Sequence, residues 1–317
     1  MVSSIVDRYQ IESCQRTFQK SYSHFIYTTP VWKLPGRAFG LDCAEIWLKL
    51  EHMQTGGSFK ARGMLNRLLS NPIPASGVIV ASGGNAGIAT AAAARELGVR
   101  CEVFVPEVSS PAKRARLVAL GAEVVVTGAA YSDALQACLA RQQQTGALLT
   151  HAYDQPEVVA GAGTLALEIE QQAGVPDAVL VSVGGGGLIA GIASWFERRT
   201  RVVALEPVLA PTLFRARAAG QPVDVAVSGI AADSLGAKRI GDLAWAATQA
   251  HVGDALLLSD EAIRAAQLWL WKELKLAVEP AAALPLAALH SGAYLPLRDE
   301  KVCLIICGAN LDPATLS

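Results

Sequence analysis

Short β-branched runs alternate with alanine-rich helical stretches along nearly the whole chain, and this alternation limits the fold more than any other feature. Val78–Ala81, Val103–Pro106, Val124–Thr127, Val179–Val183, Val202–Leu205 and Val302–Cys307 read as buried strands, with a further strand at Ile46–Glu51. Lys60–Leu69, Ala86–Leu97, Pro111–Leu120, Ser132–Gln143, Glu157–Gln172 and Leu188–Arg198 read as helices between them. Such alternation builds βαβ units and mostly parallel sheets flanked by helices, an α/β fold. Sheets of this kind hold ligands at the carboxyl ends of their strands. A length of 317 residues suits two domains, and Asp154-Gln155-Pro156 interrupts the pattern before a fresh helix. We expect a small domain over residues 52–152 and a large domain from residues 1–51 and 153–317.

Several function classes fall away on charge and composition. The formal net charge of −1 gives no global field toward nucleic acid or an anionic membrane. Met1–Gln10 lacks the basic start and apolar run of a signal peptide. The uncharged stretch Ala178–Phe196 contains four consecutive glycines and reads as strand, loop and helix rather than a membrane span. Six scattered cysteines without a C-x-x-C pair point to a reduced, cytoplasmic setting. The five histidines show no metal-ligand spacing. A long amphipathic helix is expected over Asp260–Lys275, with Ile263, Leu268, Trp269 and Leu270 as its core stripe. Trp195, Trp245, Trp269 and Trp271 read as packing residues.

Two glycine loops follow strands and open helices. Gly184, Gly185, Gly186 and Gly187 lie between Val179–Val183 and the helix from Leu188. Glycine backbones expose their N–H groups, and a helix N-terminus adds favourable potential for an anion. This is a phosphate site by its physics. Gly185-x-Gly187-x-x-Ala190, with Glu206 ending the next strand, also satisfies the dinucleotide fingerprint. Alone, that would support an NAD-dependent oxidoreductase. The second loop, Ser82-Gly83-Gly84-Asn85-Ala86-Gly87, can present N–H groups to a carboxylate. Two anion loops suit a phosphorylated cofactor joined to a carboxylate-bearing substrate.

A third motif, Thr55-Gly56-Gly57-Ser58-Phe59-Lys60-Ala61-Arg62-Gly63, puts a lysine at a helix start, where the helix dipole disfavours it. The order G-S-F-K-x-R-G, S-G-G-N-A-G, glycine tetrad, then Cys307-Gly308-x-Asn310 resembles the serine/threonine dehydratase group of pyridoxal-phosphate enzymes. These have the tryptophan-synthase-β-like fold, fold type II. The resemblance runs from about Thr28 to Asp312 and displaces the dinucleotide reading.

It implies that Lys60 joins the cofactor aldehyde, Phe59 packs on the pyridine ring and Asn85 meets the ring's 3′-oxygen. Gly184 to Gly187 would cradle the phosphate, and Cys307 would face the pyridine nitrogen. Ser82, Gly83, Gly84, Asn85 and Ala86 would surround the substrate carboxylate. Glu206 would join the carbonyls of Gly184, Ala210, Leu235 and Ala237 around a monovalent cation such as potassium. An acidic ligand that racemase-like relatives add is replaced by Thr212.

The implied reaction is dehydration and deamination of L-serine, and of L-threonine, by an enzyme expected to be a homodimer. Lys60 would take the α-proton, and the cofactor would spread the resulting charge. An amino-acid racemase and a 3-hydroxyaspartate dehydratase of the same fold are the enzymatic alternatives; a cofactor-binding sensor is the non-enzymatic one. Gly83 stands where racemases carry a serine, and it leaves space beside the substrate with no proton donor.

Overall fold

The computed structural model describes residues 5–316; residues 1–4, at the start of the segment considered above for a signal peptide, lie outside the described residues. Helix α1 (Arg8–Ser21) opens the chain, followed by β1 (Val31–Pro35) and β2 (Glu45–Lys49). Then come α2 (Lys60–Leu69), β3 (Val78–Ala81), α3 (Asn85–Glu96), β4 (Cys101–Val105), α4 (Pro111–Ala119), β5 (Glu123–Val126), α5 (Tyr131–Thr145) and β6 (Leu148–Leu149). The second half runs α6 (Pro156–Ala173), β7 (Ala178–Ser182), α7 (Gly187–Phe196), β8 (Arg201–Pro207), α8 (Thr212–Ala219), α9 (Asp242–His251), β9 (Val252–Leu258), α10 (Asp260–Leu274), α11 (Pro280–His290) and β10 (Lys301–Ile305).

These strands form two sheets. One has four parallel strands in the order β5-β4-β3-β6; the other has six, in the order β1-β2-β10-β7-β8-β9, all parallel except the antiparallel pair β1–β2. Strands β3, β4 and β7 are buried at every residue, as expected for Val/Leu runs covered by helices on both faces. The larger core gathers Ile46, Leu48, Val179, Leu180, Ile189, Ile192, Leu284 and Leu304 about the six-stranded sheet.

Helix starts follow local chemistry. Pro156 and Pro280 take the first positions of α6 and α11, where no N–H is needed. Asp7 and Gln10 make a capping box for α1, and Ser259 caps α10. The segment Ala178–Phe196 is strand β7, loop and helix α7, and no helix among the described residues is long and apolar enough to cross a membrane.

Helix α10 ends at Leu274, because Lys275 turns into the left-handed region. Ile263 and Leu270 are buried, Leu268 and Trp269 half-buried, and Trp269 stacks on Phe39 with ring centroids 5.3 Å apart. Trp271 departs from the expected packing role: it faces outward on α10, 38 % exposed.

Candidate active site

The carboxyl ends of both sheets face one cleft, and three loops enter it. The loop before α2 is joined to the chain after β10: Ser58 bridges Gly308, Phe59 N–H donates to the Cys307 carbonyl at 3.1 Å, and Ala309 N–H donates to the Gly57 carbonyl at 2.9 Å. This short pairing brings Lys60 and Cys307 into the same pocket. Phe59, Asn85, Tyr153, Ser182, Gly184 to Gly187, Ser234, Leu235 and Glu279 complete its walls.

Lys60 donates from Nζ to the Ala152 carbonyl at 2.5 Å and lies 5.1 Å from the Phe59 ring centre. Burial lowers its pKa to about 8, against the opposing pull of Cys307 and Glu279. Burial pushes the Cys307 thiol well above its ordinary value, and the Glu279 charge adds to that.

The glycine tetrad is a close-fitting cradle. A Cβ at Gly185 would lie 2.3 Å from the Tyr153 ring, and one at Gly187 would lie 2.9 Å from the Tyr153 carbonyl. Gly186 has φ of +89°, and a Cβ there would meet Ala244 at 2.4 Å. Only glycine fits these positions, so the backbone itself forms this wall at the N-terminus of α7. Exposed main-chain N–H groups at a helix start suit a phosphate. The cradle, the half-buried lysine and the buried cysteine together fit pyridoxal phosphate.

In the second loop, Asn85 lines the pocket, Ser82, Gly83 and Gly84 form the half-exposed turn before it, and Ala86 is buried behind it. The space expected at Gly83 is smaller than the sequence suggests. A Cβ there would stand 3.1 Å from Ser109 Oγ and 3.3 Å from Val105 Cγ1. Asn85 Nδ2 donates to Glu279 at 2.8 and 3.1 Å, and Asn85 Oδ1 accepts from Asn310 Nδ2 at 2.5 Å.

Sequence reasoning missed Glu279, Ser234 and Tyr153. Glu279 is the residue before α11, buried, and burial raises its pKa to about 7 despite hydrogen bonds from Asn85, Ser234 and the Asn310 backbone. The Glu279-Pro280 pair at a helix start was the available signal.

Glu206 is fully buried at the end of β8. It accepts from Leu213 N–H at 2.7 Å, Phe214 N–H at 2.8 Å and Thr212 Oγ1 at 3.0 Å. Thr212 Oγ1 also lies 2.7 Å from the Gly184 carbonyl oxygen. One hydroxyl hydrogen thus faces two acceptors. Ala210 is buried nearby, and its carbonyl accepts from Thr212 N–H at 3.2 Å. Leu235 packs against Gly184, and Ala237, two residues on, is half-buried in irregular chain. Among the described residues no group of three or more His, Cys, Asp or Glu side chains is placed to hold a metal. An oxygen set with one carboxylate suits a weakly charged ion better than magnesium.

Beneath the site, Arg62 ties α2 to α6. Its guanidinium donates to Glu51 at 2.8 Å and to Glu168 at 2.8 Å, and Lys49 Nζ donates to Glu168 at 2.8 Å. All four side chains are buried, so each charge depends on its partners.

Comparison with known proteins agrees with this architecture. The chain is 38 % identical over 279 residues to an L-threonine ammonia-lyase of Geobacter sulfurreducens, covering 86 % of this chain and 69 % of that protein. It is 34 % identical over 306 residues to a phenylserine dehydratase of Ralstonia pickettii, covering 92 % and 91 %. The solved structure of maize serine racemase superposes with a TM-score of 0.91 at 28 % identity, covering 99 % and 96 %. Residues 22–308 match the family model described as pyridoxal-phosphate dependent enzyme. This chain therefore belongs to the pyridoxal-phosphate dependent enzymes, in their tryptophan-synthase-β-like fold.

Proposed function

We propose that the protein is an ammonia-lyase that dehydrates and deaminates L-serine and L-threonine, releasing pyruvate or 2-oxobutanoate and ammonia. The observation that carries this reading is the half-buried Lys60 amine, held opposite a glycine cradle in a pocket that also contains Asn85 and Cys307. The similarity to a threonine ammonia-lyase and a phenylserine dehydratase supports loss of a β-hydroxyl as the reaction.

When bound, pyridoxal phosphate supplies a conjugated ring that stabilises charge at the substrate α-carbon. Lys60 is the residue that would hold it, with the N–H groups of Gly184 to Gly187 on its phosphate, Phe59 on its ring face and Asn85 on its 3′-oxygen. Lys60 Nζ then serves as base toward the α-proton, a role helped by a pKa near the working pH. The turn Ser82–Ala86 at the start of α3 receives the substrate carboxylate. Cys307, a thiol held neutral by burial, would lie toward the pyridine nitrogen, where a neutral thiol would not fix a proton.

We place a monovalent cation such as potassium at Glu206, with the Gly184, Ala210, Leu235 and Ala237 carbonyls. The single Thr212 hydroxyl hydrogen, which can serve only one of its two oxygen neighbours, supports it, because a cation there would relieve the remaining contact between oxygens. Six free thiols support a reducing, cytoplasmic setting. The exposed Val208, Leu209 and Ile230 are consistent with a homodimer.

A second reading, racemisation, is favoured by one observation. Ser109 Oγ stands 3.1 Å from the position a Gly83 Cβ would take, so a hydroxyl lies beside the glycine after all.

The deciding experiment assays L-serine, L-threonine, D-serine and 3-hydroxyaspartate side by side with the cofactor-loaded protein and its Lys60→Ala variant. Pyruvate and 2-oxobutanoate release that vanishes with the visible absorbance in Lys60→Ala supports the proposal. Full turnover in that variant, or D-serine forming faster than pyruvate, sinks it.

A further inference from the structure

Asn85 would make its contact with the cofactor through a side-chain amide, and an amide can present either its oxygen or its nitrogen. Glu279 in the pocket wall takes one side of that amide, and the rest of what fixes the choice lies outside the pocket. Arg116, exposed on α4, donates from Nη1 to Asn310 Oδ1 at 2.6 Å and from Nη2 to the Gly56 carbonyl at 3.3 Å. Asn310 Nδ2 donates to the same Gly56 carbonyl at 2.8 Å. A guanidinium only donates and a carbonyl only accepts, so Asn310 has one permitted orientation.

Its second N–H must then point to Asn85, where it meets Oδ1 at 2.5 Å. Asn85 in turn must direct Nδ2 toward Glu279, which accepts at 2.8 and 3.1 Å. An NH2 group carries two hydrogens. One is shared between the Glu279 oxygens and the other remains for the pocket.

We propose that Arg116 is a positioning residue: acting through Asn310, it fixes the Asn85 amide so that a donor, never an acceptor, faces the ring oxygen of the cofactor. The room for this relay is built into the loop before α2. Gly57 has φ of +78°, and a Cβ there would fall 2.6 Å from Asn310 Oδ1 and 3.6 Å from Arg116 Nη2. Glycine at this position admits the amide and the guanidinium together. Helix α4 also carries Lys113, which pairs with Asp233 across the cleft, so the helix is tied to the far wall in register with Arg116.

The inference rests on the assignment of Asn85 to the ring oxygen made above. It is tested by comparing wild type, R116A, R116K, N310A and R116A/N310A. The readouts are the affinity of the apo-protein for pyridoxal phosphate and the absorption spectrum of the bound cofactor. Loss of one oriented hydrogen bond should weaken cofactor affinity in R116A by about three- to tenfold. The spectrum should move toward the form with an uncharged ring oxygen. R116K should restore most of both, because an ammonium also only donates. R116A/N310A should be no worse than N310A alone, since both act through one path. Unchanged affinity and spectrum in R116A would overturn the proposal, as would effects of R116A and N310A that simply add. Failure of the ammonia-lyase reading is seen separately, as an L-serine and L-threonine assay without product in a wild type whose visible band still depends on Lys60.

Discussion

Lys60 Nζ rests on the main-chain carbonyl of Ala152, 92 positions further along the chain. The contact is between a hydrogen-bond donor and a neutral acceptor, so it leaves burial free to lower the lysine pKa to about 8. Only the neutral amine attacks an aldehyde. The rate at which apo-protein captures pyridoxal phosphate should therefore rise with pH to a plateau just above about 8. Stopped-flow absorbance across that range measures it. A rate still climbing at the pKa of an ordinary lysine, about 10.4, contradicts the assignment.

Glu279 makes the opposite kind of titration. Its folded pKa is raised to about 7, so the folded state holds a proton that the unfolded state releases near 4.5. The destabilisation is absent below 4.5, grows as pH rises toward 7 and is complete above it. Glu279→Gln keeps an acceptor for Asn85 and removes the charge. Its apo-protein should lose less Tm than wild type between these limits, a difference worth on the order of 3 kcal/mol at most. Parallel Tm-versus-pH curves would show that Glu279 is charged throughout.

Arg62→Ala should destabilise the protein by about 3–5 kcal/mol, because it strands Glu51 and Glu168 as buried charges. Denaturant unfolding measures the loss. Arg62→Lys should recover only part of it, since an ammonium cannot replace the guanidinium's donors to both carboxylates at 2.8 Å. A loss under about 1 kcal/mol for Arg62→Ala would mean water reaches the cluster.

Gly83→Ser should shift product from pyruvate toward D-serine, because it adds a hydroxyl beside the expected substrate position. The new Cβ must push Ser109 and Val105 aside, at a cost of about 1–3 kcal/mol. Chiral analysis of serine after incubation measures the shift, and Ser109→Ala in the same background should relieve the strain. No D-serine from a folded Gly83→Ser protein would remove position 83 from the control of reaction outcome.

Much of this architecture was legible before the structure. The run Lys60–Leu69 is helix α2 at the same bounds, and Val78–Ala81 is strand β3. Local propensity and burial agree there. Helix α11 escaped notice because all its residues from Ala281 to Leu289 are buried and Pro285 sits inside it, so no amphipathic period exists to read. Strand β9 escaped for the reverse reason: it is an edge strand in which Gly253 and Asp254 break the apolar run. Helix α1 did carry a readable stripe at Ile11, Cys14, Gln15 and Phe18.

The pocket was legible as a set of motifs but not as a network. Asn85, Asn310 and Glu279 are far apart in sequence, and contacts between separate loops, such as the Ser58–Gly308 bridge and the hydrogen bond from Glu279 N–H to the Gly308 carbonyl, bring them together. The crowding at Gly83 could not be foreseen either. It depends on Ser109, which belongs to a different loop and whose sequence context carries no signal.

The pairing of β2 with β10 joins residues 45–49 to residues 301–305 at the centre of the larger sheet. On the ribosome, every strand of the four-stranded sheet has been made by Leu149, whereas β2 still lacks a neighbour that is synthesised more than 250 residues after it. The smaller sheet can therefore settle early from near-neighbour contacts, while Ile46, Trp47 and Leu48 remain incompletely covered until residues 301–305 have been made. A nascent chain arrested before Lys301 should protect the small sheet from protease and leave the large one open, with chaperone occupancy falling only as β10 emerges.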